Sequence, residues 1–268
     1  MKILLFSVTS AFILLFTLPI AYAQKDTTKK AKVIININIG GSKIFSHSKK
    51  DSVAKIDSTE NERFFSGITF TRLDFGFSKL VDNNSFALSP SNQFLDYRSS
   101  KTSHISFDVL QLGYRFTPQF KFYLSAGFDW TIIRLRQNIT MQKNMSTLNY
   151  INEPVVFSKN RFSSSYLHIP LNFEYRTKRD KNGNRFYVVA SPEIGFLLNA
   201  KVKQITTERG KQKEYDDYNF APFRFGCAFR MGYDGIGVFA KYYATDMFDS
   251  APQKGLKNMA FGVTFGLN

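Results

Sequence analysis

From residue 67 to the end of the chain, apolar side chains recur at every second position in stretch after stretch, with small, polar and charged residues between them. A period of two belongs to an extended strand, whose successive side chains point to opposite faces. Eight such stretches are read at about 67–79, 102–116, 120–137, 163–177, 185–201, 221–233, 236–246 and 257–267. In the third, Phe122, Leu124, Ala126, Phe128, Trp130 and Ile132 oppose Tyr123, Ser125, Gly127, Asp129 and Thr131. In the fourth, Leu167, Ile169, Leu171, Phe173 and Tyr175 oppose His168, Asn172, Glu174 and Arg176. The sixth sets Phe223, Phe225, Cys227, Phe229 and Met231 against Arg224, Gly226, Ala228 and Arg230. The last sets Met259, Phe261, Val263, Phe265 and Leu267 against Ala260, Gly262, Thr264 and Gly266. The second slips phase near Val109-Leu110, which predicts a β-bulge.

The connections alternate in length. Thr117-Pro118-Gln119, Asp180-Lys181-Asn182-Gly183 and the hairpin pair Asp234-Gly235 are short. The links at about 80–101, 138–162, 202–220 and 247–256 are long. An even strand count with short periplasmic turns and long outer loops is the pattern of bacterial outer-membrane barrels. The predicted fold is therefore all-β: an eight-stranded antiparallel up-and-down transmembrane β-barrel, with both chain ends on the periplasmic side.

Alternation does not say which face meets lipid. A soluble, lipocalin-like periplasmic carrier would turn its apolar face inward around a ligand. Three features favour the inverted arrangement. The apolar faces are almost free of charge over the ~9–11 residues that a tilted strand needs to cross a bilayer. Aromatics recur near strand ends, at Phe122, Trp130, Tyr175, Phe186, Tyr233 and Tyr242, as in interfacial girdles. The opposite face carries both signs of charge, which an enclosed space requires, because a buried charge must be paired. The predicted lumen network is Arg72, Asp74, Asp108, Asp129, His168, Glu174, Arg176, Glu193, Arg224, Arg230 and Lys241, with Gly76, Gly127, Gly195, Gly226 and Gly262 making room for long neighbours. Eight strands enclose an interior that side chains can fill, so a plugged, poorly conducting lumen is expected, with a narrow transport channel as the alternative.

The segment before the strands reads differently. Lys2, an apolar run from Ile3 to Phe16, Pro19 and Ala21-Tyr22-Ala23 form a secretory signal over residues 1–23. Residues 24–65 are basic and polar and are expected to be a flexible periplasmic segment, although Val33–Ile39 alternates like an added strand. Cys227 is the only cysteine, so the chain cannot be held by an intrachain disulfide. The formal charge of +15 would suit nucleic acid, but an exported chain without a nucleic-acid motif excludes that class. Outer-membrane lipid is the expected partner, and a monomer the expected state.

The region from about Gly67 onward resembles the PorT-like outer-membrane β-barrel proteins of Bacteroidetes. The resemblance is carried by Tyr166-Leu167-His168-Ile169-Pro170-Leu171 and by Phe223-Arg224-Phe225-Gly226 before the Asp234-Gly235 hairpin. Val238-Phe239-Ala240-Lys241-Tyr242-Tyr243 and Phe261-Gly262-Val263-Thr264-Phe265-Gly266 add to it. It implies an eight-stranded outer-membrane barrel, supplies no catalytic residue, and leaves an envelope or secretion-machinery protein as a partner to consider.

No constellation in the sequence marks an enzyme. His47, His104 and His168 lack metal-ligand spacing, and His168 is expected as a lumen hydrogen-bond partner. No phosphate loop, nucleophile elbow or other cofactor motif is present, so no cofactor is expected. Glu214, Asp216 and Asp217 read as a solvated acidic loop, with calcium as an alternative. The surviving enzyme reading is a lipid-modifying or proteolytic site at the outer rim, where His104, Asp82, Asp96, Asp246 and Asp249 are expected.

Overall fold

The computed structural model describes residues 63–266. In chain order the strands are β1 (Phe64–Asp82), β2 (Ser103–Arg115), β3 (Phe120–Arg134), β4 (Ile139–Met141), β5 (Tyr150–Asn152), β6 (Lys159–Arg176), β7 (Phe186–Thr206), β8 (Gly210–Asp216), β9 (Phe223–Tyr233), β10 (Ile236–Tyr243) and β11 (Leu256–Gly266). Eight of them form one antiparallel ring, β1-β2-β3-β6-β7-β9-β10-β11, and β11 closes it by pairing Arg72 with Gly266 through Asp82 with Leu256 on β1. Closure leaves no open sheet edge in the ring itself. The two short hairpins, β4–β5 and the β8 flap on β7, lie within long loops.

The expected alternation of connections holds. The three tight links fall at one end, with the start of β1 and the end of β11, and the four long loops fall at the other. Local chemistry sets the tight turns. Thr117 Oγ1 accepts from the Phe120 N–H at 3.0 Å, Asp180 Oδ1 accepts from the Asn182 and Asn184 N–H groups at 2.8 and 3.0 Å, and Asp234 adopts φ 55°. The first strand begins at Phe64, three residues before the expected start at 67, so residues 64 and 65 belong to the barrel rather than to the preceding segment. The signal over 1–23, the rest of the segment 24–65 up to residue 62, and the alternating run 33–39 lie outside the described residues.

Two bulges, together with a register shift on β1 between Ile68 and Arg72 against β2, interrupt the alternation. Val109 is the extra residue between the Asp108–Gly127 and Leu110–Ala126 pairs, where the sequence predicts the slip. A second bulge, not evident in the sequence, leaves Leu198 unpaired on β7, since Ser165 faces Asn199 while Tyr166 faces Leu197. Beyond it the inward positions change from Glu193 and Gly195 to Ala200, Val202 and Gln204.

The barrel is inverted relative to a soluble carrier. Phe173, Phe225 and Phe265 are 41%, 46% and 39% exposed, whereas Glu174 and Arg230 are 0% and 1% exposed. At the end bearing the long loops the inward residues are apolar. Leu80, Ile133, Phe162, Ala200, Val202 and Leu256 from the walls pack with Leu95, Ile139, Leu148, Tyr218, Phe220 and Phe248 from the loops. The Phe162 ring lies 4.9 Å from Phe220, 5.5 Å from Tyr218 and 6.0 Å from Phe248. These loops fold inward as an apolar cap instead of standing open, because the wall ends give them a greasy surface to cover.

Candidate functional site

Below the cap the lumen is polar and ionic. Its side chains are held by strand phase: every second residue of β1, β2, β3, β6, β7, β9 and β10 projects inward, and ring closure brings together residues far apart in sequence. Asp129 on β3 accepts from Lys241 Nζ at 2.9 Å and from the Tyr243 hydroxyl at 2.6 Å. Arg224 Nη2 lies 2.8 Å from its other oxygen, Oδ1, and His104 Nε2 is 3.5 Å from the first, Oδ2. Lys241 also reaches Glu193 at 3.2 Å, so one ammonium bridges two carboxylates. His168 stands between Asp108, at 3.1 Å, and Glu193, at 3.8 Å. The Arg224 guanidinium is sandwiched between the rings of Tyr166 and Tyr243, 3.7 and 3.8 Å from their centroids.

A second group lies towards the short-turn end. Arg230 donates from Nε and Nη2 to Asp74 Oδ2 at 3.0 and 2.7 Å, and its Nε also approaches Oδ1 at 3.3 Å, so this buried pair is held by charge-assisted hydrogen bonds converging mainly on one oxygen. Its Nη1 donates to Ser191 at 3.2 Å, and Ser191 donates to Asn172 at 2.7 Å. Glu174 accepts from Tyr123 at 2.8 Å and pairs with Arg72 at 3.3 Å, Lys121 at 3.4 Å and Arg176. The glycines make this packing feasible. A Cβ on Gly195 would stand 3.0 Å from the Arg224 side chain, and one on Gly127 would stand 2.8 Å from His168 Nε2 and 2.0 Å from the Phe107 carbonyl oxygen.

All eleven residues of the expected network line this lumen, and ten are buried. Arg176 differs: it sits at the short-turn end with a side chain 25% exposed, holding Glu174 from the rim. His104 is a correction. It is expected at the outer rim but is fully buried beside Asp129 and the Phe239 ring, because it lies on the inward phase of β2, beneath the cap. The rim acids do not gather around it. Asp82 accepts from the Ser89 N–H, the Ser89 hydroxyl and Asn92, fixing the first long loop, and Asp96 faces Arg136 at 3.8 Å. Glu214 and Asp216 are not merely solvated: they pair with Lys143 at 2.5 Å and accept from the Asn144 N–H at 2.7 Å. Tyr123, Tyr166, Tyr243 and Lys121 are network members that the sequence reading did not assign; their signal is strand phase.

Asp129, His168 and Glu193 each offer a ligand atom within 4.8 Å of the others, a grouping that can hold a metal ion. Here Lys241 already bridges both carboxylates, with Arg224 on Asp129. The negative charge that would attract a metal is already met by these two fixed cations, so the residues present do not fit one.

Comparison with known proteins agrees with this architecture. No curated protein matches the chain. Residues 61–245 match the family model described as an outer membrane protein beta-barrel domain, a span that runs from the start of β1 past the end of β10 and stops short of the closing strand β11. With a closed eight-stranded ring, phenyl rings turned outward and charges enclosed, the chain belongs to the outer membrane protein beta-barrel domain family and resides in the outer membrane.

Proposed function

We propose that this protein is a closed, non-catalytic barrel that serves the envelope as a structural and interaction element, monomeric in the bilayer, and that within its family it stands with the PorT-like proteins. The observation that carries the reading is the Lys241 bridge. Its ammonium, 2.9 Å from Asp129 on β3 and 3.2 Å from Glu193 on β7, ties β10 to two other strands across the lumen. Arg224 and His168 fill the space beside it, and the apolar cap lies above. Opening a water path through such a plug would strip several buried charges of their partners, which is costly. The PorT-like placement is supported by the Tyr166–Leu171 motif, which sets Tyr166 and His168 into the lumen. The monomer is supported by ring closure, which uses both edges of all eight barrel strands. A partner protein in the envelope or a secretion machine would meet the outer loops or the periplasmic segment.

Planar-bilayer recording of the purified full-length protein tests the closed lumen. Silent membranes are the expected result; large, stable current steps would overturn it.

A further inference from the structure

The lipid-facing side of β3 is apolar from Phe122 to Ile132, about eleven residues, the length a tilted strand needs to cross the membrane. The next outward residue is Arg134. It begins a row of cations in direct register across four neighbouring strands: Arg134 faces Arg161 on β6, Arg161 faces Lys203 on β7, and Lys203 faces Lys213 on the β8 flap. Lys159 and Lys211 flank the row on either side of Ile205, and Lys201 stands one outward step below Lys203.

Residues directly opposite on adjacent strands have Cβ atoms roughly 5 Å apart, and like charges placed so repel. The other face of the same wall shows that the segregation is specific. Glu214 and Asp216 alternate with Lys211 and Lys213 on β8 but project to the opposite side, where they hold Lys143 and Asn144. Among the described residues no acid pairs with any cation of the row; Arg134 spends one N–H on the Ser158 carbonyl at 2.6 Å.

We propose that the row Arg134–Arg161–Lys203–Lys213 is a docking surface for the phosphorylated headgroups of outer-leaflet glycolipid. Three features select this occupant. The cations face outward from the barrel, on the side that carries the lipid-facing phenyl rings. They begin one step beyond the apolar belt, on the long-loop side, at the level where headgroups lie. Their spacing sets several cations against one multiply charged anion, and guanidinium groups at two positions favour phosphate oxygens over a simple counter-ion. Bound phosphate relieves the repulsion that the wall otherwise carries. The proposal uses the outward placement of the long loops and does not depend on a closed lumen, so a conducting barrel would leave it standing.

The test uses the full-length protein, delipidated in neutral detergent and titrated with bis-phosphorylated lipid A, with the same lipid after dephosphorylation, and with inorganic phosphate. Bound lipid is counted by native mass spectrometry. The variant Arg134→Gln, Arg161→Gln, Lys203→Gln, Lys213→Gln is expected to bind lipid A about tenfold or more weakly, each cation at a membrane surface contributing a separable share. The pair Lys203→Gln, Lys213→Gln is expected to lose a smaller part and serves if the larger variant does not fold, as judged by heat-modifiable migration. Lys178→Gln, Lys181→Gln, Lys254→Gln, which removes charge elsewhere, is expected to bind as wild type. Equal binding by the row variants, equal binding of dephosphorylated lipid to wild type, or complete displacement by inorganic phosphate at matched concentration would each overturn the proposal.

Discussion

Asp129 shows how a single carboxylate can organise a lumen. Lys241 and Tyr243, 112 and 114 residues further along the chain, both donate to one of its oxygens, and Arg224 lies against the other. Removing one partner of such a buried set costs more than its attraction contributes, because the remaining charges stay enclosed. Asp129→Asn is expected to destabilise the barrel by about 3–5 kcal/mol, read as a lower midpoint of heat-modifiable migration or urea unfolding. Gly127→Val is expected to prevent closure, since its side chain would enter space held by the Phe107 carbonyl and His168; absence of the compact, fast-migrating form checks this. At this scale the charged residues were legible because their strand phase is plain. The tyrosines were only half legible: strand phase puts Tyr123 on the charged face but not its hydroxyl on a carboxylate. An aromatic with a hydroxyl suits either face of such a barrel, and only closure shows that Tyr123 and Tyr243 point at carboxylates. His104 was misplaced for a related reason: it lies near a strand end in sequence, while the strand on which it sits begins deep beneath the cap.

At the scale of the element, the bulges decide which residues are enclosed. A strand with a period of two inverts its faces when one residue is gained or lost. Val109 is already the odd residue against β3, so deleting it restores simple alternation on that side. Deleting Ser125 from the uninterrupted pairing of β3 would instead turn one half of the strand inside out. The first deletion is expected to yield a membrane-inserted, heat-modifiable protein and the second is not, as checked by fractionation and gel mobility. The Val109 slip could be read from sequence because charged Asp108 fixes the phase beside it. The Leu198 bulge could not. It lies in Phe196-Leu197-Leu198-Asn199, where apolar residues occupy consecutive positions and hide the change of phase. Strand number and turn positions were available from periodicity and loop length, and the choice of outward face from where charges and aromatics fall along the strands.

The whole molecule carries two seals in series: an apolar cap over an ionic plug. The cap was invisible in the sequence, since its members are scattered over four long loops and wall ends that look like unrelated hydrophobic residues until the loops fold inward. Phe162, fully buried at its centre, is expected to cost about 3–5 kcal/mol when changed to alanine, the usual penalty for an emptied aromatic core site. The same variant is expected to remain silent in planar-bilayer recording, because the plug beneath does not depend on that ring. A further consequence concerns descent. Asp74 and Arg230 sit on strands at opposite ends of the sequence, yet neither has room to change without stranding the other. Lineages of this chain should therefore drift at these two positions in tandem, so that correlated replacement among distant cousins, rather than conservation at either site, becomes the signature of the interior.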